Sequence, residues 1–128
     1  MQDVLATTLS DDGSGDDTVL LGYFQRQAKL GELRGRPFTS PPNYKRYMEE
    51  VGFADVHVEI KYWPIGDWME EPRMKEIGKW MRLNMIEGMR SIARVSTAEG
   101  RTKEDDEAEI AAVAKEIQDP DIHLYMPL

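Results

Sequence analysis

Cysteine is absent from the 128 residues, so disulfides, thiol nucleophiles and zinc–thiolate centres are excluded. Histidine is nearly absent. His57 and His123 are the two, too few for a histidine-rich metal site. Long apolar runs are missing, since no stretch approaches the roughly 20 residues that a membrane helix needs. Positive charge is scarce: 16 Lys and Arg stand against 24 Asp and Glu, a formal net charge of −8. Nucleic-acid backbones and anionic membrane surfaces are bound by clustered bases, so neither is an expected partner. The opening Met1-Gln2-Asp3-Val4 has no basic region followed by an apolar run, so no secretory signal is read there. A soluble cytoplasmic or nuclear protein without a metal centre is the expectation.

What is present suits a packed fold. Hydrophobic residues make up 41% of the chain, enough for one core and a single domain over 1–128. Val4, Leu5 and Leu9 with Thr7 and Thr8 predict a strand over 1–9. Ser10-Asp11-Asp12-Gly13-Ser14-Gly15-Asp16-Asp17 reads as a solvated loop. Its aspartates repel phosphate, no lysine follows at P-loop spacing, and the alternating ligands of an EF-hand are absent. Thr18 is a candidate cap for a helix over 18–33, with Leu20, Tyr23, Phe24, Gln27 and Leu30 toward one side. Tyr44, Tyr47, Met48 and Val51 give an apolar stripe on a short helix over 43–51, which Gly52 stops.

Val56, Val58, Ile60 and Tyr62 alternate with His57, Glu59, Lys61 and Trp63, predicting a strand over 53–63. Met74, Ile77, Met81, Met85, Met89 and Ile92 form a stripe on a helix over 72–95, widened by Trp80 and Leu83. Methionine stripes sometimes make pliable binding surfaces, but core packing is commoner. A last helix over 104–118 opens on Glu104-Asp105-Asp106-Glu107, acids that suit the positive end of a helix dipole. A final strand covers 121–127. The order β-α-α-β-α-α-β without internal repeat indicates an α/β layered fold.

No complete catalytic constellation is legible. None of the serines lies in a nucleophile elbow, and neither histidine has an assignable base–orienter partner. The catalytic residues are therefore unassigned. The most unusual local feature is Tyr62-Trp63-Pro64-Ile65-Gly66-Asp67-Trp68, two tryptophans closing a strand. Such rings either line an apolar pocket at the carboxyl end of the sheet or anchor a helix onto it, and anchoring is the commoner use.

The same stretch carries a family resemblance. Gly52-Phe53-Ala54-Asp55-Val56-His57 and Trp63-Pro64-Ile65-Gly66-Asp67-Trp68 resemble the "GF-x-DVH" and "WPIG-x-W" segments of LaeA-like fungal methyltransferases. Lys75-Glu76-Ile77-Gly78, Asn84-Met85-Ile86-Glu87-Gly88 and Ile122-His123-Leu124-Tyr125 are similar to that family's "KE-x-G", "N-x-x-EG" and "IHAY". Ser10-Asp11-Asp12-Gly13, Pro37-Phe38 and Tyr47-Met48-Glu49-Glu50-Val51-Gly52-Phe53 resemble its "SDDG", "GRPF" and "WMEEAGF". Residues 90–109 depart from the pattern, with Arg90, Arg94, Ser96, Thr97, Glu99 and Arg101 where an aromatic and leucine-rich stretch is expected.

The resemblance implies the C-terminal, acceptor-side half of a Rossmann-like, S-adenosylmethionine-dependent methyltransferase, linked to fungal secondary metabolism or its regulation. It implies about three strands, 1–9, 53–63 and 121–127, covered by the helices 18–33, 43–51, 72–95 and 104–118. The family's donor site is a strand–glycine loop–helix in the other half, so the chain alone is expected to bind no donor and to be inactive. Gln2, Asp3, Tyr23, Trp63 and Trp68 are the expected residues facing a small-molecule or protein methyl acceptor. A strand at 1–9 without its inner neighbour exposes a sheet edge, and the expected outcome is a homodimer or heterodimer through that edge. The alternative is a non-catalytic module pairing with another methyltransferase or a velvet-type regulator.

Overall fold

The computed structural model describes residues 3–96 and 100–128. Helix α1, Val19–Leu33, starts where expected: Thr18 Oγ1 accepts from the Leu21 N–H at 3.3 Å and donates to the Gly15 carbonyl at 2.9 Å. Leu20, Tyr23, Phe24, Gln27 and Gly31 make its buried side. A turn of 3-10 helix, Pro41–Asn43, leads into helix α2, Tyr44–Glu50. No residue of α2 is fully buried, and half of its apolar stripe is open. Tyr47 is 43% and Val51 75% exposed. Strand β1 is Tyr62–Ile65, helix α3 Pro72–Ser96, helix α4 Lys103–Glu116 and strand β2 Leu124–Pro127.

The sheet is a two-stranded antiparallel pair, with Tyr62 opposite Pro127 and Ile65 opposite Leu124. The mixed α/β character stands, but both flanking strands are shorter than the sequence pattern predicts. The expected strand over 53–63 begins only at Tyr62, because a ladder needs a partner and β2 lies alongside only from Lys61, whose N–H donates to the Leu128 carbonyl at 3.0 Å. Asp55 sits at φ 54, which also interrupts any strand there. In the segment expected as the first strand, Leu9 makes one antiparallel bridge with Tyr125, and the Leu5 N–H donates to the Pro127 carbonyl at 3.2 Å. Between them the Thr7 N–H turns back to the Leu5 carbonyl at 2.7 Å, so the ladder does not close. Residues 1 and 2 lie outside the described residues.

The core gathers where α1, α3 and α4 meet the strand pair. Leu20, Ile65, Val113 and Leu124 are its most deeply buried side chains, each stabilising by roughly 1.5–3 kcal/mol through burial. The methionine stripe is core: Met81, Met85 and Met89 are all buried. Trp80 and Leu83 do not widen it. They are 65% and 55% exposed, and the Trp80 indole N–H donates to Glu76 on its own helix at 3.0 Å.

Helix α3 is set on β1 by glycines. Gly66 turns the chain at φ +97 and donates its N–H to the Gly78 carbonyl at 3.1 Å. A Cβ on Gly78 would lie 1.8 Å from the Gly66 carbonyl oxygen, so only glycine permits this approach. No helix among the described residues is long and apolar enough to cross a membrane.

Candidate functional site

Because β2 runs antiparallel to both β1 and the Leu9 bridge, three chain ends meet on one side of the layer. They are the carboxyl ends of segment 3–9 and of β1, and the amino end of β2. Ligands of open α/β sheets lie outside the carboxyl ends of strands, which makes this side the place to look. The loop 10–17, Trp68 and His123 all converge there.

Asp12 organises the loop. Its Oδ1 accepts from the Ser14 N–H at 3.0 Å, the Ser14 hydroxyl at 2.6 Å and the Ser10 hydroxyl at 2.8 Å. Those hydrogen bonds hold its carboxyl well below the usual carboxylate range. Its Oδ2 meets His123 Nδ1 at 2.6 Å, and His123 Nε2 faces the Pro120 carbonyl at 3.1 Å. The His123 N–H donates to Ser14 Oγ at 2.9 Å. Trp68 stacks on the imidazole with centroids 4.8 Å apart, and its indole N–H donates to the Leu124 carbonyl at 3.0 Å. The Tyr125 hydroxyl donates to Asp11, which raises the Tyr125 phenol above its ordinary value. Gly15 lets the loop pack closely on β2, since a Cβ there would stand 2.3 Å from Leu124 Cδ2 and force that side chain to shift.

This arrangement braces more than it reacts. Both imidazole nitrogens are engaged by oxygens of this chain, so neither is open to a substrate while those contacts hold. The Ser10 and Ser14 hydroxyls donate to Asp12 and not to the imidazole, so neither is activated as a nucleophile. What the cluster offers a ligand is a fixed, half-exposed indole flanked by carboxylates.

The other residues expected at an acceptor site lie elsewhere. Asp3 is exposed and accepts from the Tyr44 hydroxyl at 2.6 Å, which lowers its carboxyl. Trp63 is half-buried on β1 and packs against the core. Tyr23 is buried on α1, edge-on to Phe24 at 5.6 Å and beside the Arg26 guanidinium. Gln2 lies outside the described residues. No contact joins Asp3, Tyr23, Trp63 and Trp68 into one pocket among the described residues.

Around Tyr23 a second polar cluster ties α1 to α4. Arg26 pairs with Glu109, and Arg101 reaches Asp106 at 2.7 Å and Glu109 at 3.1 Å. A small cavity of about 10 Å³ lies between Tyr23, Met89, Asp106 and Ile110. Burial, aided by the nearby Glu109 charge, pushes the Tyr23 phenol up to about 12. A wider groove of about 650 Å³ runs along α3 and α4 over Ile86, Ala93, Ile110 and Ala114. No trio of His, Asp or Glu among the described residues is placed to hold a metal.

In the sequence Asp12 and His123 stand out only as parts of family-like motifs, and Ser14 only as part of a solvated loop. Their contact was not legible, because 111 residues separate Asp12 from His123.

The chain is similar to fungal methyltransferases along its length. It is 25% identical over the whole chain to the probable methyltransferase tdiE of Emericella nidulans, of which it covers 41%. It is 27% identical over 96% of its length to the methyltransferase pytC of Aspergillus terreus, covering 39% of that protein. It is 29% identical over 73% of its length to the protein-methionine methyltransferase laeA of Chaetomium globosum, covering 30% of it. The chain thus spans about two fifths of the length of the first two relatives. No family profile and no solved structure matches it.

These relationships make the chain similar to fungal methyltransferases. The similarity extends to LaeA-type proteins, among them the secondary metabolism regulator laeA of Monascus pilosus, 25% identical over 90% of the chain and covered to 32%.

Proposed function

We propose that this chain forms the methyl-acceptor side of an S-adenosylmethionine-dependent methyltransferase domain that serves fungal secondary metabolism or its regulation. The observation that carries the reading is similarity along nearly the whole chain to proteins named methyltransferases, of which the chain spans about two fifths.

The described residues do not fit a donor site. Such a site takes the donor's carboxylate on free N–H groups at a helix N-terminus beside a glycine-rich turn. Here each long helix is closed by an acid of this chain. Glu116 accepts from the Val19 and Leu20 N–H groups of α1 at 2.7 and 3.2 Å. Glu71 accepts from Arg73 and Met74 of α3 at 3.0 and 2.6 Å. Thr102 and Asp105 make a capping box on α4. The donor is therefore held by other residues, in a longer chain or a partner, and segment 3–9 is the edge against which that sheet pairs. Segment 3–9, β2 and β1 then stand as neighbouring strands of a Rossmann-like sheet. Trp68, at the carboxyl end of β1, is the best-placed acceptor contact of those named, and its role is orientation, the main lever in methyl transfer. The acceptor is a small molecule or a protein side chain.

A second reading, an interaction module that pairs with another methyltransferase or a velvet-type regulator, draws on the same capped helices. Calorimetric titration of S-adenosylmethionine separates the readings. The chain alone is expected to give no heat at donor concentrations near about 1 mM. Mixed with the donor-binding half of a LaeA-like relative, it is expected to give saturable binding and methyl transfer. One-to-one donor binding by the chain alone overturns the acceptor-side assignment, and a complex that binds no donor favours the module.

A further inference from the structure

We infer that the outer edge of the segment 58–62 leading into β1 is a self-pairing surface, on which a second copy of this chain docks antiparallel with Ile60 opposite Ile60. The side chains there are unusually open: Val58 is 61%, Ile60 57% and Tyr62 50% exposed. No backbone hydrogen bond among the described residues reaches 54–60, and Lys61 directs its N–H and C=O to Leu128 at 3.0 and 2.8 Å. In an antiparallel ladder, alternate residues bond to opposite sides. Lys61 bonds inward to Leu128, so Ile60 and Tyr62 present their N–H and C=O groups to the outer edge.

That alternation restricts a self-pairing to registers joining even residues to even residues, and charge selects among them. Centring on Glu59 sets Glu59 against its own copy, and centring on Lys61 sets lysine against lysine. Centring on Ile60 pairs Glu59 with Lys61 of the second copy twice over, and lays Val58 against Tyr62. Opposite charges facing each other across strands stabilise, and like charges destabilise. Centring on Val58 would run the ladder into Asp55, whose φ of 54 is not a strand conformation. Pro64 has no N–H and ends the ladder on the other side. The surface is separate from the 3–9 edge invoked above, and the inference does not rest on the methyltransferase reading.

The chain contains no cysteine, which makes the register directly readable. Opposed Cα atoms of a hydrogen-bonded antiparallel pair lie about 5.5 Å apart, within disulfide reach. Under a mild thiol oxidant, Ile60→Cys is expected to give a covalent dimer while Glu59→Cys and Lys61→Cys do not. Sedimentation equilibrium up to about 1 mM protein, the range suited to a small edge contact, is expected to show a dimer. Glu59→Lys or Lys61→Glu is expected to shift it to monomer, and the double exchange to restore it. All three positions are exposed, and far-UV circular dichroism confirms folding of each variant. Monomer at every concentration, cross-linking at Glu59→Cys or Lys61→Cys in place of Ile60→Cys, or a dimer indifferent to the charge exchanges overturns the inference. The last result assigns dimerisation to another surface, such as the 3–9 edge.

Discussion

The amide of Gly66 and the carbonyl of Gly78 meet at 3.1 Å, backbone to backbone, with no side chain between them. This contact fixes how closely α3 approaches the end of β1. Gly78→Ala would normally help a helix by up to about 1 kcal/mol. Here its Cβ would lie 1.8 Å from the Gly66 oxygen, so the helix must shift. The expected result is a loss of about 1–3 kcal/mol, as for an overpacked site. Gly88→Ala on the same helix meets nothing within 4 Å and is expected to stabilise. Urea denaturation of the two variants checks the pair of opposite signs.

Glu116 supplies the second prediction. Its carboxylate closes the start of α1 through Val19 and Leu20. Glu116→Ala is expected to cost about 0.5–2 kcal/mol, the range for a lost helix cap. Hydrogen exchange reads it locally, because the amides of Val19 and Leu20 lose protection.

Acid sensitivity follows from Asp12. Hydrogen bonds from Ser14 and Ser10 hold its carboxyl below the ordinary value. Its folded-state value is depressed, so its contribution is fully present above the unfolded value of about 3.9 and is lost as pH falls below it. Asp12→Asn is expected to lower the melting temperature at neutral pH. The difference from the unsubstituted chain narrows as pH drops below about 4. A gap that stays constant across that window removes Asp12 as its source.

Tyr23 gives an alkaline counterpart. Its phenol is pushed up to about 12, and its hydroxyl is buried with no hydrogen-bond partner. Because burial disfavours the phenolate, the fold loses stability as pH rises through the unfolded value of about 10 toward 12. Spectrophotometric titration at 295 nm is expected to show a late component that Tyr23→Phe removes. At neutral pH Tyr23→Phe is expected to be neutral or stabilising by up to about 1–3 kcal/mol, since an unsatisfied hydroxyl is taken away.

The helices were legible because their signals are local. Thr18 and Thr102 cap where the chain leaves a loop, and the Met81, Met85, Met89 stripe repeats at helical spacing and is buried as that spacing requires. Strand signals misled at 53–61, where the alternation of Val56, Val58 and Ile60 is genuine but no neighbouring strand lies beside it. Period-2 patterning reports which side chains share a face and cannot report whether a partner exists. Trp68 was legible as part of a tryptophan pair. The Asp12–His123 contact that it stacks on was not, because it joins opposite ends of the chain.

The clasp between Glu116 and α1 also sets an order of events in synthesis. Val19 and the acid that caps it are 97 residues apart. At a ribosomal rate of about 5–20 residues per second, α1 emerges roughly 5–20 seconds before its cap does. Through that interval its first amides are left to water. The first helix of the chain is thus among the last to be finished, and a nascent chain stalled before Glu116 carries α1 with a frayed start.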